Sequence, residues 1–310
     1  MIANENPRIA VLLPCYNEAE AIIGVVHGFR VAFPDGEIYV YDNNSIDETA
    51  HFAELAGAIV RHESRQGKGH VVRRMFADIE ADVYVLSDGD GTYDAPTAGK
   101  MVETLLARQL DMVVGARESA SADNRTYRAG HRLGNWIFNR LVAFLFDDGF
   151  TDIFSGCRVM SRRFVKSFPA LAKGFEVEAQ LTVHALELSL PCAEMRTPYY
   201  PRAEGASSKL RTYRDGFRIL VAILLLFKEV RPLTFFSVFA GLCVATSLGL
   251  GVPVVLEYAQ TGLVPRFPTA ILAMGLGLLG AIFVSVGLTL DTVSRNHREL
   301  KRLNYLKLGS

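Results

Sequence analysis

The sequence predicts an α/β domain with a mostly parallel sheet, followed by a hairpin of two membrane-spanning helices. Short apolar, β-rich runs alternate with helical segments in the amino-terminal part, which is typical of a parallel sheet with helices on both faces. Beyond residue 231, two long stretches carry almost no charged side chain. Each of them is long enough to cross a bilayer core of about 30 Å as a helix.

Five apolar runs are predicted as strands, at residues 9–13, 38–41, 59–60, 83–86 and 112–114. In open parallel sheets, ligands bind beyond the carboxyl ends of the strands. The polar residues that directly follow these runs are therefore the place to expect chemistry. Further on, residues 127–146 and 176–188 have helical patterns, and residues 193–201 are predicted as an edge strand bounded by prolines.

Basic residues flank the two predicted spans, which cover about residues 232–256 and 267–291. Lys228 and Arg231 precede the first span, and Arg266 is the only basic residue in the connecting loop. The residues after the second span include six basic or histidine side chains, Arg295, His297, Arg298, Lys301, Arg302 and Lys307. The positive-inside rule then predicts an integral membrane protein whose domain and both termini are cytoplasmic.

The chain divides into four predicted segments: a cytosolic domain (1–210), an amphipathic juxtamembrane helix (211–231), the two spans (232–294) and a basic cytosolic tail (295–310). The apolar centre of the second segment is too short to cross a bilayer, so it suits the membrane interface. A buried helix that closes the domain is the alternative. The first residues lack the basic and apolar regions of a signal peptide, which agrees with a cytosolic domain.

Composition argues against several classes of protein. The net charge is zero, so no basic field is available for nucleic acid. The four cysteines lack metal-ligand spacing and are predicted to be reduced thiols. No Gly-x-Gly-x-x-Gly follows a strand, which disfavours a nicotinamide dehydrogenase. In the second span, small residues favour helix packing or a homo-oligomer, and they are Gly275, Gly277, Gly280 and Ala281.

The sharpest motif is Asp88-Gly89-Asp90, which follows the apolar run at 83–86 after the single residue Ser87. A strand end lets both carboxylates reach one point in the crevice above the sheet, where a hard divalent cation that bridges phosphate oxygens would bind. The Asp-x-Asp pattern alone is common in solvated turns. Its position after a buried strand favours a metal site for Mg²⁺ or Mn²⁺.

Two other strand ends carry polar blocks, Pro14-Cys15-Tyr16-Asn17-Glu18 and Asp42-Asn43-Asn44-Ser45. Together with Asp-x-Asp, these blocks resemble family 2 glycosyltransferases with the GT-A (Rossmann-like) fold. They are most similar to the dolichyl-phosphate mannose synthase-like, polyprenyl-phosphate branch. The resemblance covers roughly residues 8–210, and the paired spans fit members of that branch that carry their own membrane anchor.

The resemblance implies a set of nucleotide-sugar contacts, namely Pro14, Tyr16, Asn17, Glu18, Asp42, Lys68, Asp88, Gly89, Arg202 and Lys209. It also implies that Asp88 and Asp90 bind the metal, with Asp90 the more direct ligand. The family more often has Asp-Asp-Gly-Ser where this chain has Asp-Asn-Asn-Ser, so Asn43 offers only a hydrogen-bonding amide. A surface lysine is the alternative for Lys68, and attraction to lipid headgroups is the alternative for Arg202 and Lys209.

On the acceptor side, Gly115-Ala116-Arg117 resembles the Gly-Ser-Arg block of the family, and residues 151–158 resemble Thr-Asp-x-x-Ser-Gly-Phe-Arg with Cys157 in place of the aromatic. The resemblance implies that the acceptor phosphate is held by Arg117, Arg128, Arg132 and Ser155. Arginine suits this role because its fork of donors matches phosphate oxygens and never deprotonates. Arg128 and Arg132 could also form a solvated helix face. The predicted catalytic residues are Asp90, Arg117 and Asp152, of which the last orients and does not deprotonate.

The implied activity is inverting transfer of a sugar from a nucleotide-diphosphate donor to undecaprenyl or dolichyl phosphate in the membrane. A UDP-sugar is favoured over GDP-mannose, because Asn43 departs from the usual base-contact pair and many anchored relatives use uridine donors. One alternative is a processive polysaccharide synthase, although Trp136, the single tryptophan, lies outside any Gln-x-x-Arg-Trp block. The other is a non-catalytic nucleotide-sugar-binding membrane protein.

Overall fold

The computed structural model describes residues 7–119, 150–170, 177–201, 224–225 and 227–308. The chain divides into two compact units. The first comprises Met1–Leu220 together with Lys301–Ser310, and the second comprises Val221–Leu300.

The first unit is built around one sheet. Its strands are β1 (Ile9–Cys15), β2 (Glu37–Asp42), β3 (Ile59–His62), β4 (Val83–Leu86), β5 (Met112–Ser119), β6 (Arg158–Ser161) and β7 (Cys192–Tyr199). Their order across the sheet is β3-β2-β1-β4-β6-β5-β7. All neighbours are parallel except β6, which runs antiparallel to both β4 and β5. The predicted mostly parallel sheet is confirmed, with all five predicted strands and β7 at an edge.

Helices pack on both faces of this sheet, and in the described residues of the first unit they are α1 (Ile22–Ala32), α2 (Thr49–Leu55), α3 (Lys68–Asp78), α4 (Ala95–Ala107), α5 (Arg162–Ser167) and α6 (Val177–Glu187). Successive side chains of a strand point to opposite faces. In β4, Val85 therefore joins the core formed with α1 and α4, whereas Tyr84 packs on Phe76 of α3. Both residues are fully buried, which explains why β4 reads as a continuous apolar run.

The second unit contains α7 (Pro232–Thr261) and most of α8 (Phe267–Lys307), and both helices are long and apolar enough to cross a membrane. They pack through small residues. A methyl group added at Gly280 would press on Val244, and one added at Gly277 would press on Ser247. Two of the small residues predicted to mediate helix packing therefore do so within the hairpin.

The second apolar helix continues beyond the predicted end of its span. The apolar run ends at Leu290, but the following residues are polar and still form helix, with a 3.2 Å ion pair between Asp291 and Arg295. The predicted tail from residue 295 is thus largely helical. The predicted juxtamembrane helix at 211–231 falls mostly outside the described residues.

The last turns of α8, from Lys301, belong to the first unit. Tyr305 donates a hydrogen bond of 2.7 Å to the buried carboxylate of Asp111, and the guanidinium of Arg163 lies over its ring. Lys301 forms an ion pair of 2.8 Å with Glu187 at the end of α6. The first unit therefore includes residues beyond Leu300, because these contacts join residues far apart in sequence.

Candidate active site at the carboxyl edge of the sheet

The topology brings the predicted site residues to one edge of the sheet. The parallel strands β1, β2 and β4 end there, so Asp42 at the end of β2 and Asp88 just beyond β4 lie at that edge. The antiparallel β6 starts at the same edge with Arg158. The loop at residues 151–157 directly precedes β6, so it lies at the edge where the parallel strands end.

Hydrogen bonds join the loop after β1 to the loop after β2. The Asn17 side-chain oxygen accepts from the Ile46 backbone at 2.9 Å, and the Asn17 N–H donates to the Ser45 hydroxyl at 2.9 Å. The Glu18 N–H donates to Thr49 at 2.8 Å. Asn17 has φ of 54°, a left-handed conformation that asparagine tolerates better than most residues. Of the predicted nucleotide contacts, Asn17 and Glu18 thus also brace the loop that follows Asp42.

Pro14 and Tyr16 are the other two predicted nucleotide contacts of this first loop. Pro14 lies inside β1, opposite Tyr41 of β2. Tyr16 follows at the surface, with 36% of its area exposed.

Asp42 is 7% exposed, and its two carboxylate oxygens have different surroundings. Its Oδ2 accepts from the Ser45 N–H at 3.2 Å and lies 3.4 Å from His62 Nδ1. Its Oδ1 is buried and has no hydrogen-bond partner among the described residues. A buried acceptor without a donor is costly, so this atom is suited to an N–H group of a ligand.

The buried side chain of Asn43 explains the departure from the more common aspartate. Its amide nitrogen donates to the carbonyls of Glu63 and Arg65, both at 2.8 Å, and its oxygen accepts from the Gly67 N–H at 2.7 Å. A carboxylate could not donate to two carbonyls. Asn43 therefore holds the loop before α3 in place.

The Lys68 ammonium bridges two carboxylates. Its Nζ lies 2.5 Å from Asp88 Oδ1 and 2.5 Å from Glu178 Oε1, and the side chains of Lys68 and Glu178 are 9% and 4% exposed. Burial by itself would lower the pKa of Lys68, but the two carboxylates more than offset this and raise it above its ordinary value. Burial raises the pKa of Glu178, and Lys68 only partly counteracts that shift.

Around Asp88 and Asp90, three chain segments approach closely. A side chain at Gly89 would collide with the Cys15 sulfur, and one at Gly156 would collide with the Asp88 carboxylate. Asp90 is 6% exposed, and its Oδ1 accepts from the Thr92 hydroxyl at 2.7 Å. Gly156 thus lets the 151–157 loop approach Asp88, and Gly89 lets the Asp-x-Asp segment approach Cys15 of β1.

The donor set determines what kind of metal site this can be. Within the described parts of the chain, no group of three or more His, Cys, Asp or Glu side chains could hold a metal ion. The Asp88 and Asp90 pair therefore does not fit a closed protein cage. It does fit Mg²⁺ or Mn²⁺, because hard ions of this kind are often held by one or two carboxylates together with phosphate oxygens.

On the acceptor side, the predicted residues Arg117 and Asp152 form a bidentate pair. Arg117 Nε lies 2.7 Å from Asp152 Oδ2, and a terminal nitrogen lies 2.8 Å from Oδ1. The guanidinium carbon is 5.5 Å from the centre of the Tyr199 ring. Glu194 of β7 accepts from the N–H groups of Thr151 and Asp152 at 3.0 and 2.9 Å, so it fixes the turn that carries Asp152.

Arg158 anchors the rest of this loop from within the core. It is fully buried and donates to the carbonyls of Ser155 and Ile153, at 3.1 and 2.5 Å, and to the Thr182 hydroxyl at 2.9 Å. Burial lowers its pKa. Ser155 is also fully buried, and its hydroxyl donates to the Gly115 carbonyl. Ser155 thus packs the loop against β5, and its predicted contact with an acceptor phosphate stays a prediction.

Four predicted site residues, Arg128, Arg132, Arg202 and Lys209, lie outside the described residues. Their roles remain predictions. Conversely, the structure adds Glu178, Glu194 and Arg158 to the predicted set. Glu178 is in a segment predicted as helix and Glu194 is in a segment predicted as strand, but no local pattern identified their partners.

Comparison with known proteins identifies relatives over most of the chain. Residues 10–168 match the profile of the family described as Glycosyl transferase family 2. The chain is 33% identical over 303 residues to glycosyltransferase AglJ of Haloferax volcanii, and the match covers 96% of this chain and 98% of that protein. It is 22% identical over 212 residues to the undecaprenyl-phosphate mannosyltransferase of Micrococcus luteus, with 64% of this chain and 86% of that protein covered.

Among solved structures, a similar one is glucosyl-3-phosphoglycerate synthase from Mycobacterium tuberculosis in complex with Mn²⁺, uridine-diphosphate-glucose and phosphoglyceric acid. The TM-score is 0.52 at 22% sequence identity, and the match covers 70% of this chain and 80% of that one. At this identity the likeness concerns the fold. It confirms the GT-A class predicted from the sequence.

Proposed function

The chain belongs to glycosyl transferase family 2 and is a glycosyltransferase, and we propose that it transfers a sugar from a nucleotide-diphosphate donor to a polyprenyl phosphate in the membrane. The observation that carries the proposal is the pairing of Arg117 with Asp152 beside the Asp88 and Asp90 carboxylates, in a chain that also has two apolar helices. The relation to an undecaprenyl-phosphate mannosyltransferase supports the choice of acceptor.

On the donor side, Asp42 binds the nucleobase through its buried Oδ1, which has no hydrogen-bond partner among the described residues. Pro14, Tyr16, Asn17 and Glu18 line the nucleotide pocket. Asp88 and Asp90 hold Mg²⁺ or Mn²⁺, with Lys68 and Gly89 beside them. When bound there, the cation neutralises negative charge on the diphosphate as the nucleotide departs.

Further donor contacts are proposed in the part of the chain that the structure does not describe. Arg202 and Lys209 bind the donor diphosphate, since both are basic and follow β7. Their positive charges add to the stabilisation of the departing nucleotide.

On the acceptor side, Arg117 positions the phosphate of the lipid, and Asp152 holds the guanidinium in place. A phosphate monoester has a second pKa of about 6, so it is largely dianionic at neutral pH and attacks without a strong base. Asp152 therefore orients and does not take a proton, which agrees with its engagement by Arg117 through both oxygens. A single in-line displacement inverts the anomeric configuration. Arg128 and Arg132 are proposed as further phosphate contacts.

The membrane part matches a lipid acceptor. We propose that α7 and the first part of α8 span the bilayer, with the catalytic unit and both termini in the cytoplasm, because basic residues flank the pair and a single arginine lies between the helices. The phosphate of a lipid in this bilayer lies at headgroup level, within reach of a domain tethered to the surface. Association of hairpins into a homo-oligomer is part of the proposal, because small residues favour helix packing.

For the donor, we propose a UDP-sugar in preference to GDP-mannose. The structural neighbour crystallised with uridine-diphosphate-glucose supports this choice. Asn43, which suggested the same preference from sequence, is occupied in holding the loop before α3 and adds no support.

The decisive experiment is metal-dependent transfer from labelled donor into lipid extract by the purified chain. A labelled glycolipid is the expected product, whereas a polymer would indicate a processive synthase and no product a binding protein. The D90A variant should lose transfer, and D35A, which removes an exposed carboxylate, should retain it. Undiminished transfer by D90A in the presence of chelator would contradict the proposal.

A further inference from the structure

Glu178 reaches the donor side of the site from a distant part of the sequence. It lies in the first turn of α6, yet its carboxylate contacts the same lysine as Asp88 of the Asp-x-Asp segment. We propose that Glu178 is a positioning residue for the cation and diphosphate, and that it acts through Lys68. This inference rests on the proposed function, since it concerns the same cation.

The geometry of the contact fixes Lys68. An ammonium has three N–H donors and no acceptor, and two of its donors here meet carboxylates at 2.5 Å each. Lys68 and Glu178 are almost fully buried, so water competes little for the bond between them. Without Glu178, the lysine would be held at Asp88 alone and could turn away along its flexible stem.

The charges of the cluster also favour a second cation. When ionised, Asp88, Lys68 and Glu178 together carry a net charge of minus one, and Asp90 adds another carboxylate nearby in the chain. The second oxygen of Glu178 is buried and has no hydrogen-bond partner among the described residues. A buried carboxylate that is only half satisfied contributes a strong local field.

Two consequences follow for the site. The ammonium that Glu178 holds lies on Asp88 Oδ1, which orients that carboxylate and leaves Asp90 as the more direct ligand of the cation. The negative charge of Glu178 raises the affinity of the site for a divalent cation. Partners of this kind, one shell away from a metal, usually change its affinity by about 10- to 100-fold when they are removed.

The test is Mn²⁺ binding to the purified full chain in detergent, measured from the electron paramagnetic resonance signal of free Mn²⁺. Uridine diphosphate or guanosine diphosphate is present at saturation. The E178Q variant keeps the shape and removes the charge, and we expect its Mn²⁺ affinity to fall by about tenfold or more. Nucleotide affinity without metal should stay near the wild-type value, which a general loosening of the domain would not allow.

The matched control is E187Q, which removes a carboxylate from the same helix where it pairs with Lys301 at 2.8 Å. We expect E187Q to keep wild-type Mn²⁺ affinity. Unchanged affinity in E178Q, or an equal loss in E187Q, would overturn the proposal.

The E178D variant keeps the experiment decisive if E178Q does not fold. It retains the charge but withdraws the carboxylate by one methylene from Lys68, so we expect a smaller yet measurable loss, and a wild-type affinity would count against the proposal. If the wild-type chain itself binds no Mn²⁺ with either nucleotide, the proposed function fails, independently of what the variants show.

Discussion

Two partly buried ion-pair clusters lie at the same edge of the sheet, and they differ in their balance of charge. Lys68 shares one ammonium between Asp88 and Glu178, so carboxylates outnumber the cation. Arg117 pairs with Asp152 through two parallel hydrogen bonds of 2.7 and 2.8 Å. When ionised, the first cluster carries a net negative charge, whereas the paired groups of the second cancel.

The difference separates two tasks that the site must perform. An excess of carboxylate favours a divalent cation, which in turn holds phosphate oxygens. A matched pair instead fixes the plane of a guanidinium through two parallel hydrogen bonds. The two basic side chains are therefore not interchangeable, because a lysine can serve partners in several directions while an arginine presents a rigid fork.

The largest expected effect comes from replacing Arg117 of the second cluster with lysine, which exchanges a planar guanidinium for an ammonium. The R117K variant keeps the positive charge but loses the bidentate bond to Asp152. We expect kcat/KM for the lipid acceptor to fall on the order of a hundredfold, because a misplaced phosphate no longer meets the donor in line. Labelled-donor transfer to polyprenyl phosphate measures this change.

The matched control for R117K is R196K on the adjacent strand β7. Arg196 is exposed and lies 3.6 Å from Glu118, so the same exchange there should leave transfer unaltered. Wild-type kcat/KM in R117K would mean that the shape of the guanidinium is not used.

The next effect concerns Arg158, which holds the loop that carries Asp152. The R158M variant leaves two carbonyls and a hydroxyl without their buried donor. We expect the free energy of unfolding of the catalytic unit to fall by about 3 kcal/mol, since unsatisfied buried acceptors are costly. Thermal unfolding in detergent measures this loss, and R162M, at an exposed pair with Glu80, should change little.

If R158M were as stable as the wild type, the loop at 151–157 would be held by other contacts. Transfer activity should fall together with stability, because Asp152 lies in that loop. If R158M lost stability but kept its transfer activity, the ion pair between Arg117 and Asp152 would not depend on Arg158.

The residues that follow strands were predictable for a topological reason. Asp42 and Asp88 come at or just beyond the ends of short apolar runs, and parallel strands all end at one edge, so the fold alone brings them together. Arg117 and Asp152 were placed in one site through the family resemblance, and the structure adds that they contact each other.

The partners contributed from distant segments were not predictable. Glu178 and Glu194 occupy positions whose local pattern indicates only helix or strand, and the lysine and the turn that they meet are set by tertiary packing. The orientation of the Ser155 side chain was also not predictable, for a different reason. It belongs to a recognisable motif, but the hydroxyl turns inward to the Gly115 carbonyl, which sequence does not specify.

His184 differs from Lys68 and Arg117, because no carboxylate among the described residues pairs with this buried basic side chain. Its Nε2 lies 3.1 Å from the Ser167 hydroxyl, and its Nδ1 has no hydrogen-bond partner among the described residues. Burial, with a contribution from the charge of Lys301, lowers the pKa of His184 to about 4. The side chain therefore stays neutral in the folded protein.

As pH falls below about 6.5, the unfolded chain takes up a proton at His184 while the folded chain does not, until pH reaches about 4. Stability is consequently present above this window and lost within it, by about 2 kcal/mol at pH 5. The H184Q variant should lose less stability than the wild type between pH 7 and pH 5, by that amount. The exposed residue His51 supplies the control, because H51Q should retain the wild-type pH dependence of unfolding.

The smallest expected effect tests how the turn below Arg117 is held. Glu194 Oε1 accepts from the N–H groups of Thr151 and Asp152, and its Oε2 accepts from the Thr151 hydroxyl at 2.8 Å. A glutamine there would replace one of these acceptor oxygens by an NH₂ group, which cannot accept. We expect E194Q to lower the free energy of unfolding by about 1 kcal/mol, and to slow transfer because the carboxylate that holds Arg117 moves. E118Q, at an exposed glutamate on β5, is the control. E194Q could instead match the wild type in both unfolding free energy and transfer rate. In that case Arg158, and not Glu194, would hold the turn that positions Asp152 against Arg117.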